Sequence, residues 1–182
     1  MVKPVTKLNT YSIKALEDRG VTLEKIADLV TGLQKPYNDK ITNELSLQYV
    51  EKVMRKREVQ HTVITAITLD KMAEEKALDS PLQEIVERDE SLFGVDETLA
   101  LAIVNVYGSI GLTNFGYIDK LKPGIVGELD EAKNGSVNTF LDDIVGAIAA
   151  AAASSLAHAH PEMSSELLHS DNKNVDNEQA ED

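Results

Sequence analysis

Three short stretches of this chain carry acids where a helix should begin or end. They are "VDETLAL" (95–101) with Asp96 and Glu97, "YIDKLKPG" (117–124) with Asp119 and Lys122, and "TFLDDIVGAIAAA" (139–151) with Asp142 and Asp143. Each has an ordinary explanation when taken alone. Acids suit the positive end of a helix dipole, which covers Asp96 and Glu97. Asp119 and Lys122 have the spacing of a surface i,i+3 ion pair, worth about 0.2–0.5 kcal/mol. Asp142 follows Thr139 by three residues, as in a capping box. Asp143 fits none of these, because it sits one position further round, toward the apolar stripe of the helix it opens. Two acidic helix starts and a nearby Asp-Lys pair are together more specific than any one of them. Carboxylate oxygens with retained waters are what hard divalent cations such as Mg²⁺ or Mn²⁺ prefer, with no need of cysteine or histidine. A cation held by Asp96, Glu97, Asp119, Asp142 and Asp143 would neutralise the cluster and assist phosphoryl chemistry as a Lewis acid.

The elements that must position these residues read as helices throughout. In "LEKIADLVTGLQ" the residues Leu23, Ile26, Leu29 and Val30 share one face, with Thr22 as the cap and Gly20 closing the preceding helix. Residues 44–77 read as helical, including the β-branched "HTVITAITLD", since a lone strand would lack a partner. Ser80, Pro81 and Gln83 look like a capping serine, a first-turn proline and the far side of a capping box. They open a helix that Gly94 can close. An apolar helix follows over 95–107. Glycines 108, 111 and 116 break up the next segment, Pro123-Gly124 ends it, "GIVGELDEA" adds a short helix and "KNGS" a turn. The last helix, 139–160, is alanine-rich and apolar on most sides, the pattern of a helix buried among others. The expected fold class is an all-α, compact multi-helix bundle around that C-terminal helix.

Composition bounds the possible functions. The 182 residues suit one domain, and 42% apolar with only 4% aromatic residues implies an aliphatic, alanine-rich core. No cysteine is present, which rules out a thiolate metal site and fits a reducing cytoplasm. The formal net charge of −13 argues against nucleic acid as a partner. Residues 161–182 hold seven acids against Lys173 alone and few large apolar residues, so an acidic disordered tail is expected after a single domain at 1–160. No apolar leader precedes the first helix, and neither 99–112 nor the alanine run 144–153 reaches the roughly 20 apolar residues of a spanning helix. A protein without a transmembrane segment, in the cytoplasm or at the membrane periphery, is the expectation. His158 and His160 read as exposed helix-end residues. "GSIGLTNFG" lacks the lysine of a nucleotide P-loop.

The same three stretches resemble the motifs of the phosphatidylglycerophosphatase A family, and in particular its soluble, short branch from Gram-positive bacteria, over most of residues 10–158. The resemblance implies a compact bundle of about six helices and Mg²⁺-dependent hydrolysis of a phosphate monoester. The family's reaction converts phosphatidylglycerophosphate to phosphatidylglycerol. It further implies that Asp96, Glu97, Asp119, Asp142 and Asp143 form the metal-binding and catalytic group, with Asp119, Asp143 and Lys122 closest to the chemistry and Lys122 on a phosphate oxygen. The family's arginine three residues before the Asp-x-x-Lys aspartate is replaced here by Gly116. The family's glycine-threonine-rich N-terminal motif and its long spanning helices have no counterpart. Arg57, from the run Lys52, Arg55, Lys56 and Arg57, is the candidate replacement for the missing phosphate clamp; the plainer reading of that run is a solvated helix face. Two other functions stay open: a helical scaffold that keeps the fold without chemistry and binds divalent ions or forms a homo-oligomer, and a phosphatase for a soluble phosphate metabolite.

Overall fold

A computed structural model describes residues 6–132 and 135–160. The helices are α1 (Lys7–Glu17), α2 (Leu23–Gln34), α3 (Asn43–Met54), α4 (Arg57–Glu74), α5 (Leu82–Arg88), α6 (Val95–Val104), α7 (Gly108–Leu121), α8 (Ile125–Asp130) and α9 (Leu141–Ala159), with a 3-10 turn at Asn105–Tyr107 between α6 and α7. Among the described residues there is no strand. Seven of the helices have ten or more residues, close to the six-helix bundle implied by the resemblance, and α5 and α8 are short. The proposed tail at 161–182 and part of the "KNGS" turn lie outside the described residues.

α9 is the spine. Every residue from Leu141 to Leu156 is buried, and α2, α3, α4, α6, α7 and α8 all pack against it. Alanine makes this possible. Six neighbours can close on one rod only if its side chains are small, and Ala147 and Ala149 to Ala153 are all fully buried. Gly146 carries the same logic to the α7 contact, where an added Cβ would lie 3.2 Å from Ile118 Cγ2. Larger apolar groups from the surrounding helices, among them Leu16, Ile26, Met54, Ile103 and Ile118, complete the core.

Threonine caps start the first three helices: Thr6, Thr22 and Thr42 accept from the backbone N–H groups of Asn9, Lys25 and Leu45. Several boundaries differ from those the sequence suggests. The stretch 44–77 is two helices, because the backbone turns extended at Lys56. The Met54 carbonyl freed by the break is satisfied by side chains, Asn9 Nδ2 at 2.7 Å and Gln60 Nε2 at 2.9 Å. "HTVITAITLD" is helical, within α4. The capping box at Ser80 does not form, since Gln83 donates to the Ala73 carbonyl and accepts from the Leu78 N–H. α5 stops at Arg88 rather than near Gly94, with Asp89 left-handed at φ 51°. α7 runs unbroken through Gly111 and Gly116. Gly111 instead permits a close approach, as a Cβ there would meet the Val104 carbonyl at 3.1 Å.

Among the described residues one helical run, Val95–Leu121, is long and apolar enough by length and composition to cross a membrane, with mean hydropathy 1.3. It comprises α6, the 3-10 turn and α7, with Gly108 at φ 66° between them, and both helices pack on α9.

Candidate metal centre

The start of α9 is fixed from outside the helix. Asp70 of α4 is fully buried and accepts from the N–H groups of Phe140 (3.1 Å) and Leu141 (3.0 Å). These are donors that a helix N-terminus leaves without intrahelical partners. Asp70 therefore does the work expected of Thr139, whose hydroxyl donates instead to the Val86 carbonyl at 2.6 Å. Burial pushes the Asp70 carboxyl up to about 7, against the two N–H groups and the Arg19 charge. The loop before α9 is tied down as well. Arg19 donates to the Val137 carbonyl (2.7 Å) and Asn138 Oδ1 (2.8 Å) and pairs with Glu74, which accepts from the Val137 N–H at 2.8 Å.

This scaffolding delivers Asp142 and Asp143 to the interior, each only 4% exposed. They line a cavity of about 200 Å³ together with Asp96, Glu97, Asp119, Lys122 and the 89–94 loop. All five acids singled out in the sequence, and the lysine, thus reach one cavity. They divide into two groups there. Carboxylate oxygens of Asp96, Glu97 and Asp143 lie within 4.8 Å of one another, the arrangement of a candidate metal site. Asp119 and Asp142 instead meet Lys122 Nζ, at 3.2 and 2.7 Å.

Lys122 has left the helix. It follows α7 in a left-handed conformation at φ 44°, which turns its ammonium into the acids. Asp130 at 3.8 Å and Asp143 at 3.9 Å complete its surroundings. Burial works against its charge, but the hydrogen bond it donates to Asp142 and the charges of Asp142 and Asp143 outweigh it and hold the ammonium above its ordinary pKa. One cation does not balance so many acids. Burial, and then the Asp142 charge, raise the Asp143 carboxyl to about 8 despite Lys122. Burial also raises Asp142, to about 6. Glu97 is raised by its contact with Asp96 and by burial.

The donor set suits a hard divalent cation on two counts. It consists of carboxylates alone, and Glu97 Oε2 is buried with no hydrogen-bond partner among the described residues. An unpaired buried carboxylate oxygen costs free energy that a bound cation would recover.

Two acids at this site carry no sequence signal of their kind. Asp89 lines the cavity from the loop after α5, and burial raises its carboxyl. Asp130, at the end of α8, reaches Lys122. Arg57 is not brought here. It lines a separate cavity with His160, at the far end of α9. At 1.5 Å rise per residue that is roughly 25 Å from Asp143, so Arg57 does not stand in for the clamp missing at Gly116.

The fold and site define a class: an all-α bundle whose central helix begins in a buried, carboxylate-rich cavity. The chain belongs to the phosphatidylglycerophosphatase A family, whose model matches residues 19–158. It is 54% identical over 160 residues to the uncharacterized protein YpjQ of Bacillus subtilis, covering 88% of this chain and 90% of that one. The uncharacterized protein YutG of the same organism is 55% identical over 143 residues, covering 79% and 86%. Among solved structures, the low temperature requirement C protein of Listeria monocytogenes is 55% identical with a TM-score of 0.84, over 86% of this chain and 99% of that one. A Bacillus stearothermophilus protein of unknown function is 59% identical with a TM-score of 0.82, over 84% and 99%.

Proposed function

We propose that this protein is a divalent-cation-dependent phosphatase that hydrolyses a phosphate monoester, with phosphatidylglycerophosphate as substrate and phosphatidylglycerol as product. The observation that carries the reading is the convergence of Asp96, Glu97 and Asp143 from two separate helices, in a chain of this family. Asp96, Glu97 and Asp143 hold the cation, with Asp119 and Asp142 lining the same cavity beside them. A bound Mg²⁺ or Mn²⁺ supplies Lewis-acid polarisation of the phosphoryl group and activation of water. Lys122 offers the phosphate a point charge and holds Asp142 and Asp119 in register through its ion pairs. Asp143, raised to about 8 by burial in the absence of a cation, holds a proton at neutral pH that cation binding displaces.

The lipid source is supported by α7, which presents Ile110, Tyr117 and Leu121, all exposed and in register on one face. The same helix carries Asp119 close to its end.

The test is phosphate release from phosphatidylglycerophosphate and, in parallel, from glycerol phosphate, with Mg²⁺ and with chelator. Mg²⁺-dependent release that Asp143→Asn removes, with the helical circular dichroism unchanged, is the expected result. Preference for glycerol phosphate would replace the lipid by a soluble metabolite. Release indifferent to chelator, or none on either ester, would reject the phosphatase reading and leave a helical scaffold.

A further inference from the structure

At the other end of α9 lies a cavity of opposite character. It holds about 1080 Å³ and is lined by Lys52, Arg55, Lys56 and Arg57, with Leu8, Leu45 and Tyr49 as apolar and aromatic wall. In a chain of formal charge −13, four cations from the α3–α4 junction share this space with one lining acid among the described residues, Glu58. Arg55 is paired with Glu51 at 3.0 Å. Among the described residues, Lys52, Lys56 and Arg57 have no carboxylate partner. Lys52 and Lys56 lie over aromatic faces instead, 5.0 Å from the Tyr49 ring centre and 4.9 Å from that of Tyr107. Stacking of this kind holds a lysine in place without neutralising it. The Tyr107 hydroxyl, on the ring beneath Lys56, is buried with no hydrogen-bond partner among the described residues. The helix break at Lys56 thus gathers positive charge in a concavity and leaves most of it without a carboxylate partner among the described residues.

We infer that this cavity is a second ligand site, distinct from the acidic centre, that binds a phosphate-bearing anion. The Arg57 guanidinium and the Lys52 and Lys56 ammonium groups supply more charge than a single carboxylate would need, and the arginine fork matches phosphate oxygens. The roughly 25 Å between the two ends of α9 is too far for one phosphate to engage both sites. The ligand here is therefore not the ester cleaved at the acids. The apolar wall accommodates the body that carries the phosphate. A soluble phosphorylated molecule and a phospholipid headgroup share this chemistry.

The full chain in EDTA, where the cation-free acids repel anions, would be titrated calorimetrically with inorganic pyrophosphate. In parallel it would be sedimented with phosphatidylglycerol vesicles and with phosphatidylcholine vesicles. Affinity for at least one anionic probe is expected, weakening with added salt and falling about tenfold or more in the double variant Lys56→Ala, Arg57→Ala. Asp143→Asn should leave it unchanged. Pyrophosphate binding without vesicle binding assigns a soluble ligand, and the converse assigns a headgroup. Circular dichroism of the double variant establishes that it is folded, and Lys56→Gln, Arg57→Gln serves in its place if it is not. No binding of either probe would overturn the inference. So would binding that the substitutions leave intact, or citrate binding as tightly as pyrophosphate.

Discussion

Removing the Asp143 charge should stabilise the cation-free protein while destroying its response to cations. Asp143 is 4% exposed, and burial together with Asp142 raises its carboxyl from 3.8 to about 8. An acid whose folded pKa lies above its unfolded value keeps its proton in the native state after the unfolded chain has lost it. Stability then falls as pH rises, starting near the unfolded value and ending near the folded one. The window for Asp143 is about pH 4 to 8. Each pH unit inside it costs about 1.4 kcal/mol, so between pH 5 and pH 8 Asp143 alone should cost wild type in EDTA about 4 kcal/mol, in addition to what the raised carboxyls of Asp70 and Asp142 cost in the same direction. That is a large share of the 5–15 kcal/mol typical of a domain. Urea unfolding followed by circular dichroism at several pH values measures it directly. Asp143→Asn should flatten the slope and leave the variant the more stable protein at pH 8 without cation. Adding Mg²⁺ or Mn²⁺ should raise the wild-type midpoint, more at pH 8 than at pH 5, and leave the variant's nearly unmoved. Equal slopes for the two proteins in EDTA, or equal cation responses, would refute the idea that buried, uncompensated charge at Asp143 is what a cation relieves.

Two further substitutions probe the supports of the centre. Asp70→Ala leaves the buried Phe140 and Leu141 N–H groups without their acceptor and should cost about 2–5 kcal/mol in unfolding free energy; in the folded fraction, Mn²⁺ affinity by paramagnetic resonance should fall as the start of α9 loosens. Gly127→Ala would bring a Cβ to 2.4 Å from the Lys122 carbonyl oxygen, so the left-handed turn must shift. A melting point lowered by several degrees, equivalent to about 1–3 kcal/mol, and weaker phosphate release should both follow.

Much of the site was legible because its chemistry left marks that helical spacing alone does not explain. Asp143, on the apolar side of its helix, is the clearest, and it sits in the candidate metal trio with Asp96 and Glu97. Asp119 and Lys122 looked like a solvent-exposed pair, and they do pair. What spacing cannot convey is that Lys122 leaves the helix and turns toward Asp142. Asp89 was hidden inside a stretch that reads as continuous helix, since nothing local announces that α5 ends at Arg88. The break between α3 and α4 is equally silent, with no glycine or proline in "MRKRE"; tertiary hydrogen bonds to the Met54 carbonyl stabilise it. Asp70 did leave a trace, as a single acid within the β-branched "HTVITAITLD". Its job of capping a helix 70 residues away belongs to the tertiary structure. Local sequence reports local conformations and burial conflicts. It does not report which distant group resolves the conflict.

The alanine spine also bears on how the molecule is made. Because α9 is the last of the described helices and touches α2, α3, α4, α6, α7 and α8, a nascent chain still lacking residue 141 holds the other described helices without the rod that most of them share. The packing around that rod therefore forms only after α9 has been made, whatever contacts the earlier helices have already formed with one another. Until then the apolar faces that will meet α9 are open to the solvent, the condition under which unfinished chains are prone to aggregate.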